Sequence, residues 1–401
     1  MRAPHTAGRS PFIMYCLTEE ELALRKEIRE FTDREILPGA TELDASKIYP
    51  VELVRKIREA GYPALSFPKE LGGQGKSLRS CMIFLEEISR GLASLGLVYT
   101  ANTMQVCYSL VDAVTEQQKQ EWLMPAIQGE KILTLALSED AGGSDAFAIN
   151  TYAQWHGDGW ILNGSKCWIS NAGVADGYIV AARTTPHGRS HDISLFFVDS
   201  HTPGVDDSER ANLVGMNNDP TSNIFFHDCH LPPKALISNP DVPDSGYHLI
   251  KRALNSGRLA LSAVAIGLAQ GALEDVVSYT KNRSYLGRRI SGYQGVSFPI
   301  AEMMTNISLA RHMLYHTADI YEAGDPASVD IAELKLFSCE MCQSTCTSAA
   351  QLHGAIGYDK RVNNERRLRD SLLFTTMEGT SQICKIIISN ALYNNPPEML
   401  Y

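Results

Sequence analysis

Thr375-Thr376-Met377-Glu378-Gly379-Thr380-Ser381-Gln382 is the stretch on which the reading of this chain turns. One carboxylate stands between an apolar residue and a glycine, and Gly-Thr-Ser then leads into an apolar-periodic run from Gln382 to Leu392. The pattern predicts a helix opening just beyond Glu378, whose free N–H groups can hold an anion or an oxyanion. On the residues alone, two readings of Glu378 stay open. An acid at a helix start commonly does no more than complement the helix dipole. A carboxylate among apolar neighbours has its pKa lifted toward neutrality, which suits a general base.

The segments before it divide by periodicity. Glu19 to Ile36 places Leu22, Leu24, Ile28, Phe31 and Ile36 near one helical stripe. Pro50 to Ala60 gives a second helix stopped by Gly61, and Thr115-x-x-Gln118 is a capping box before Trp122 and Leu123. Near residue 131 the character changes. Trp160-Ile161-Leu162 and Cys167-Trp168-Ile169 flank Asn163-Gly164, which predicts a hairpin turned at Asn-Gly. Tyr178–Ala182, Ile193–Val198 and Ile224–Phe226 read as further strands. From Gly246 onward, four helical runs (248–281, 296–323, 328–353 and 379–393) are joined by short polar breaks, the mark of a bundle. The chain is therefore α+β and mainly α. A flexible leader or tail is expected over 1–16 and an N-terminal helical domain over 17–130. A small middle β-barrel or sandwich domain follows over 131–238, then a C-terminal four-helix bundle over 239–401.

Composition narrows the chemistry. The formal net charge of −10 argues against a nucleic-acid surface, which needs a basic face. No uninterrupted apolar run reaches the ~18 residues of a membrane span. The nine scattered cysteines suit a reducing compartment rather than a disulfide framework. Cys339, Cys342 and Cys346 fall on one helix face without the further ligand of a tetrahedral set, so a helix core is expected there and no metal. No Gly-x-Gly-x-x-Gly follows a strand, so a Rossmann dinucleotide site is not indicated.

Five stretches in order carry a family resemblance. Met377-Glu378-Gly379-Thr380-Ser381-Gln382-Ile383 resembles the "(Y)EGTxQI" signature of the acyl-CoA dehydrogenases, flavoproteins that desaturate acyl thioesters. Leu137–Asp145 is similar to their "TEPGAGSD" loop, and Leu162–Asn171 to "LNGxKxWITN". Arg283–Met303 resembles "RxxFGxxIxxxQxVxFxLAxM", and Gln351–Tyr358 resembles "QxxGGxGY".

The resemblance implies an α–β–α architecture, FAD as cofactor, and Glu378 as the base that removes the α-proton of an acyl thioester. It implies that Leu137, Ser138, Gly143, Ser144, Trp168 and Ser170 hold the flavin, with Thr380 and Gln382 nearby. Arg283, Gln294, Gln351 and Gly354 match positions that reach FAD across a subunit boundary, which implies a homo-oligomer, expected to be a tetramer. Met377, Gly379 and Arg258 match the acyl site. A minority of the family carries its acid near 257, where this chain has Asn255-Ser256-Gly257-Arg258. The substrate is expected to be a short or medium acyl-CoA, with an electron-transfer flavoprotein as acceptor, in the cytoplasm or a mitochondrial matrix. The alternatives are a dehydrogenase or oxidase acting on an acyl or aminoacyl group tethered to a carrier protein, and a flavin monooxygenase on the same fold, which would not need Glu378. Leu286 and Ala355 depart from the family pattern. So do Asp140-Ala141 and Asn218-Asp219, in loops expected near the thiol arm.

Overall fold

The computed structural model describes residues 17–146, 148–184, 192–237 and 245–394, so the leader expected over 1–16 lies outside the described residues. The N-terminal part comprises α1 (Glu19–Phe31), α2 (Ala40–Ser46), α3 (Val51–Glu59), α4 (Leu78–Gly91), α5 (Ala93–Tyr99), α6 (Glu116–Gln118) and α7 (Met124–Ile127). At the start of α1, Thr18 Oγ1 accepts from the Glu21 N–H, and the Glu21 carboxylate accepts from the Thr18 N–H. That capping box satisfies two donors that helix geometry leaves free. The apolar stripe buries Leu24, Ile28 and Phe31, then reaches Ile36 through a wider π-helical turn, Thr32–Ile36. The Thr115–Gln118 capping box forms as read. The Gln118 amide also donates to the carbonyls of Lys234 and Leu236, tying this domain to the next.

The middle domain is one curled sheet of β1 (Leu133–Ala136), β2 (Tyr152–His156), β3 (Gly159–Ser170), β4 (Gly177–Arg183), β5 (Ile193–Asp199), β6 (Val205–Asp206) and β7 (Thr221–Leu231). The strand order is β1-β4-β2-β3-β7-β6, with β5 paired to β4. The hairpin expected at Asn163-Gly164 is not a turn. Both residues lie inside β3, where the register against β7 shifts between Leu162 and Gly164. Asn163 exchanges hydrogen bonds with Asp228, and a Cβ at 164 would come within 2.6 Å of the Thr151 backbone. Asn-Gly here serves a bulge and a close backbone approach. The turn falls instead at Gly157-Asp158, between the paired His156 and Gly159.

The C-terminal part holds α8 (Ser245–Asn282), a small hairpin of β8 (Ser284–Tyr285) and β9 (Arg288–Arg289), α9 (Gln294–Glu322), α10 (Ser328–His353), α11 (Asn363–Phe374) and α12 (Ser381–Asn394). Four of these are the expected bundle helices. The additional α11 buries Arg366, Arg367 and Asp370 rather than an apolar stripe. Arg366 and Arg367 donate to the Gly91 and Arg90 carbonyls, satisfying acceptors at the end of α4. By length and composition α8 could cross a membrane, but 78% of its most apolar window is buried between neighbouring elements. It is the central core helix, packed on α4, α9 and α10. Cys339, Cys342 and Cys346 are all buried along α10.

Candidate active site

Glu378 and Gly379 link α11 to α12 with φ of 55° and 87°, two successive left-handed residues. A non-glycine residue held there costs on the order of 1–2 kcal/mol. Two buried cations grip the carbonyls of this bend. Arg258 Nε of α8 donates to the Glu378 carbonyl at 2.8 Å, and Lys335 Nζ of α10 donates to the Gly379 carbonyl at 2.7 Å. Arg258 is itself held by Asn255 at 3.0 Å. Thr380 caps α12 by accepting from the Ile383 N–H. Gln382 is exposed on the first turn, and Met377 packs against the bundle core.

The carboxyl group points inward. Its Oε1 accepts from Gln105 Nε2 at 2.7 Å, while Oε2 is buried with no hydrogen-bond partner. A Cβ at residue 257 would lie 2.6 Å from Oε2, so the bare backbone of Gly257 makes the space. Burial lifts the Glu378 pKa to about 7, against the opposing pull of Arg258, the Gln105 amide and Lys335. A carboxyl group poised near neutrality with one free lone-pair face can act as a base.

Gln105 was not singled out from sequence. It lies in a π-helical stretch, Thr100–Tyr108, that continues α5, and a lone glutamine in an apolar run carries no motif. Replacing Gln105 with Leu removes a hydrogen bond to the ionised carboxylate. The pKa of Glu378 should therefore rise, moving the acid limb of kcat upward by about one pH unit. A pH–rate profile with an unmoved limb would show that this contact does not tune the base.

A second cluster forms where β1 runs into its following loop beside β3. Lys166 Nζ donates to the Leu137 carbonyl at 3.0 Å and meets Glu139 Oε1 at 2.8 Å. The Cys167 N–H donates to the Ser138 carbonyl. Glu139 also accepts from the Asn150 and Thr151 N–H groups, closing the loop that exposes Gly143 and Ser144. Trp168 has φ of 60° and is 64% exposed, an indole pushed outward by a left-handed backbone. Ser170 Oγ donates to Asp219 Oδ2 at 2.9 Å. The Asn218-Asp219 loop is thus internal. Asn218 donates to the Leu43 and Ile48 carbonyls, and Asp219 lies beneath Ser170.

The two clusters share a support. Asn171 Nδ2 donates to the Val98 carbonyl, and Asn102 Oδ1 accepts from the Leu133 N–H. Val98 and Gln105 lie on one helical stretch, roughly 10 Å apart at about 1.5 Å per residue. Arg283, Gln294, Gln351 and Gly354 are not brought to Glu378 within this chain. Arg283 follows α8, roughly 37 Å beyond Arg258 along that helix at about 1.5 Å per residue. Gln294, Gln351 and Gly354 are exposed at neighbouring helix ends.

Comparison with known proteins agrees with this layout. The acyl-CoA dehydrogenase N-terminal, middle and C-terminal domain models match residues 18–130, 134–229 and 244–393. The short-chain-specific acyl-CoA dehydrogenase of Clostridium acetobutylicum is 34% identical over 378 residues, covering 94% of this chain and 99% of that protein. The structure of butyryl-CoA dehydrogenase from Megasphaera elsdenii superposes with a TM-score of 0.91 at 28% identity, covering 95% of this chain and 100% of that one. A prolyl acyl carrier protein oxidase, AnaB, superposes at 0.89 with 25% identity, covering 94% and 99%. The chain belongs to the acyl-CoA dehydrogenase family, FAD-dependent oxidoreductases acting on CH–CH groups.

Proposed function

We propose that this chain desaturates a short or medium acyl-CoA between its α and β carbons, with Glu378 as the base. The observation that carries the reading is the Glu378 carboxyl group, buried with an unpartnered Oε2 and a pKa near 7. The α C–H of a thioester is a weak acid. Its removal needs a nearby base and a donor on the thioester oxygen, and the Glu378 N–H is the donor proposed here. Arg258 and Lys335 hold that backbone in place, and Met377 and Gly379 form the adjoining wall.

The residues present fit a flavin. Trp168 offers a flat apolar face, Leu137 and Ser138 offer edge contacts, and Ser170 offers a hydroxyl. Nothing lies within 4 Å of a Cβ built at Gly143, so an anion can approach the loop N–H groups there and at Ser144. Bound FAD supplies the hydride acceptor for the β carbon. In this proposal Arg283, Gln294, Gln351 and Gly354 reach the flavin of a neighbouring copy, with Thr380 and Gln382 at the near side. Exposed Tyr285, Leu286, Phe298 and Tyr358 around them support such an interface, and a tetramer is the proposed assembly. An electron-transfer flavoprotein is the proposed acceptor.

A carrier-bound substrate is the second reading, favoured by the likeness to the prolyl carrier-protein oxidase. The basic side chains at the start of α8 do not distinguish the two. Arg252 pairs with Asp112, and Lys251 lies over the Tyr247 ring. The test is anaerobic bleaching of the flavin by acyl groups on CoA, on pantetheine and on a carrier protein, with kcat/KM for each. CoA thioesters are expected to be preferred. A carrier-protein preference of ~100-fold or more, about 2.7 kcal/mol of transition-state binding, would replace this reading with the second.

A further inference from the structure

Ser170 is paired with Asp219, a buried carboxyl group to which the proposed reaction gives no role. Ser170 Oγ lies 2.9 Å from Asp219 Oδ2, and the Asn171 N–H reaches Oδ1 at 3.3 Å. Asp219 is only 2% exposed. Arg210 faces it but donates to the Asn217 carbonyl, and the Tyr49 hydroxyl nearby is buried without a partner. Asp176 lies on the Tyr49 side, and Lys47 is held by Asn212. Lys47, Arg210 and Asp219 line a shared cavity of about 20 Å³. That is room for about one water beside the buried carboxyl group.

A serine hydroxyl has one hydrogen and two lone pairs. When Asp219 is ionised, a charge-assisted bond directs that hydrogen to the carboxylate. Only lone pairs then remain for whatever Ser170 faces on its other side. Oxidised flavin presents a lone pair at N5 and reduced flavin presents an N–H, so the direction of this one hydrogen discriminates between them. We propose that Asp219 is a positioning residue that fixes the Ser170 hydroxyl as an acceptor toward flavin N5 and so favours the reduced cofactor. Protonation of Asp219 releases the hydroxyl to donate and removes that preference. The inference rests on the flavin placement proposed above, taken with N5 beside the Ser170 hydroxyl as the family resemblance implies. Burial raises the Asp219 carboxyl to about 7, against the Ser170 and Asn171 hydrogen bonds and the Arg210 charge, so both states are accessible near neutral pH.

The test uses FAD-loaded protein carrying Glu378→Gln, which removes the raised Glu378 carboxyl group from the titration. Flavin is equilibrated with a redox dye between pH 6 and 8.5, and its reduced-to-oxidised ratio is read by absorbance. Further substitution of Ser170→Ala removes the hydroxyl and leaves the Asp219 carboxyl group in place, titrating higher without the Ser170 hydrogen bond. Relative to that variant, the ratio in the parent should rise about fivefold across this range, the worth of one hydrogen bond. Asp219→Asn should abolish the rise. An equal pH course with and without the hydroxyl overturns the inference, whether or not Asp219→Asn folds. A chain that takes up no FAD overturns the functional reading itself, a different result from flavin that binds but ignores Ser170.

Discussion

Replacing Glu378 with Gln is expected to leave a folded protein that retains FAD and binds thioester, yet reduces its flavin ~10³-fold more slowly, within the usual span for loss of a general base. The amide keeps the shape that fills the space over Gly257 and can still accept from Gln105. It cannot take the α-proton. Stopped-flow bleaching under anaerobic conditions reads this directly, and a variant within tenfold of the parent would remove Glu378 from the base role. A second readout has the opposite sign. Because burial raises the Glu378 pKa from 4.5 to about 7, its stability contribution is present at low pH and is lost as pH rises through the folded value. At pH 8 the Gln variant should therefore be the more stable protein, by up to about 3 kcal/mol, while at pH 4 the two should converge. Slower chemistry in a more stable protein is what a strained, desolvated base implies. A merely structural acid at a helix start would weaken the protein when lost.

The division into helical, β and helical parts was legible because burial there follows simple periods. The stripe from Leu24 to Phe31 and the run from Ile193 to Val198 each face apolar cores. Three features escaped the pattern for physical reasons. Asn163-Gly164 has the composition of a turn, but a bulge and a close approach to Thr151 require the same residues. The helix Asn363–Phe374 packs through guanidinium groups on backbone carbonyls, so it shows no apolar stripe to count. At the site, Glu378 could be read from its motif and its apolar neighbour. The residues that tune it could not, because Gln105 lies 273 residues from Glu378 and Lys335 lies 44 from the Gly379 it binds. Asp219 was visible only as a departure from the family pattern. Its contact with Ser170 depends on a sheet pairing between β3 and β7 that no local window contains.

Lys166→Met should strongly destabilise the middle domain. Lys166 and Glu139 are 1% and 7% exposed, and their contact is 2.8 Å. Burial pulls the Lys166 pKa down to about 8, so the ammonium persists at neutral pH. Burial works to raise the Glu139 carboxyl, but the Lys166 charge and the hydrogen bonds it accepts outweigh this and hold it below the ordinary value. Removing the lysine leaves a buried carboxylate with two backbone donors and no counter-charge, and also frees the Leu137 carbonyl. Breaking one side of such a pair costs about 3 kcal/mol or more, roughly a hundredfold in the folding equilibrium. The loss falls on the segment that places Leu137, Ser138 and the glycine loop, so FAD retained through gel filtration should drop along with the denaturation midpoint. The Glu139→Gln, Lys166→Met double variant removes the stranded charge and should recover part of the stability, because the penalty lies in the unpaired ion rather than in the lost contact. Acid provides the matching control. Without Lys166 the Glu139 pKa is expected to rise, so lowering the pH through it should narrow the gap between the single variant and the parent. A single variant as stable as the parent at pH 7, or a double variant no better than the single, would show that Glu139 and Lys166 do not hold the loop as an ion pair.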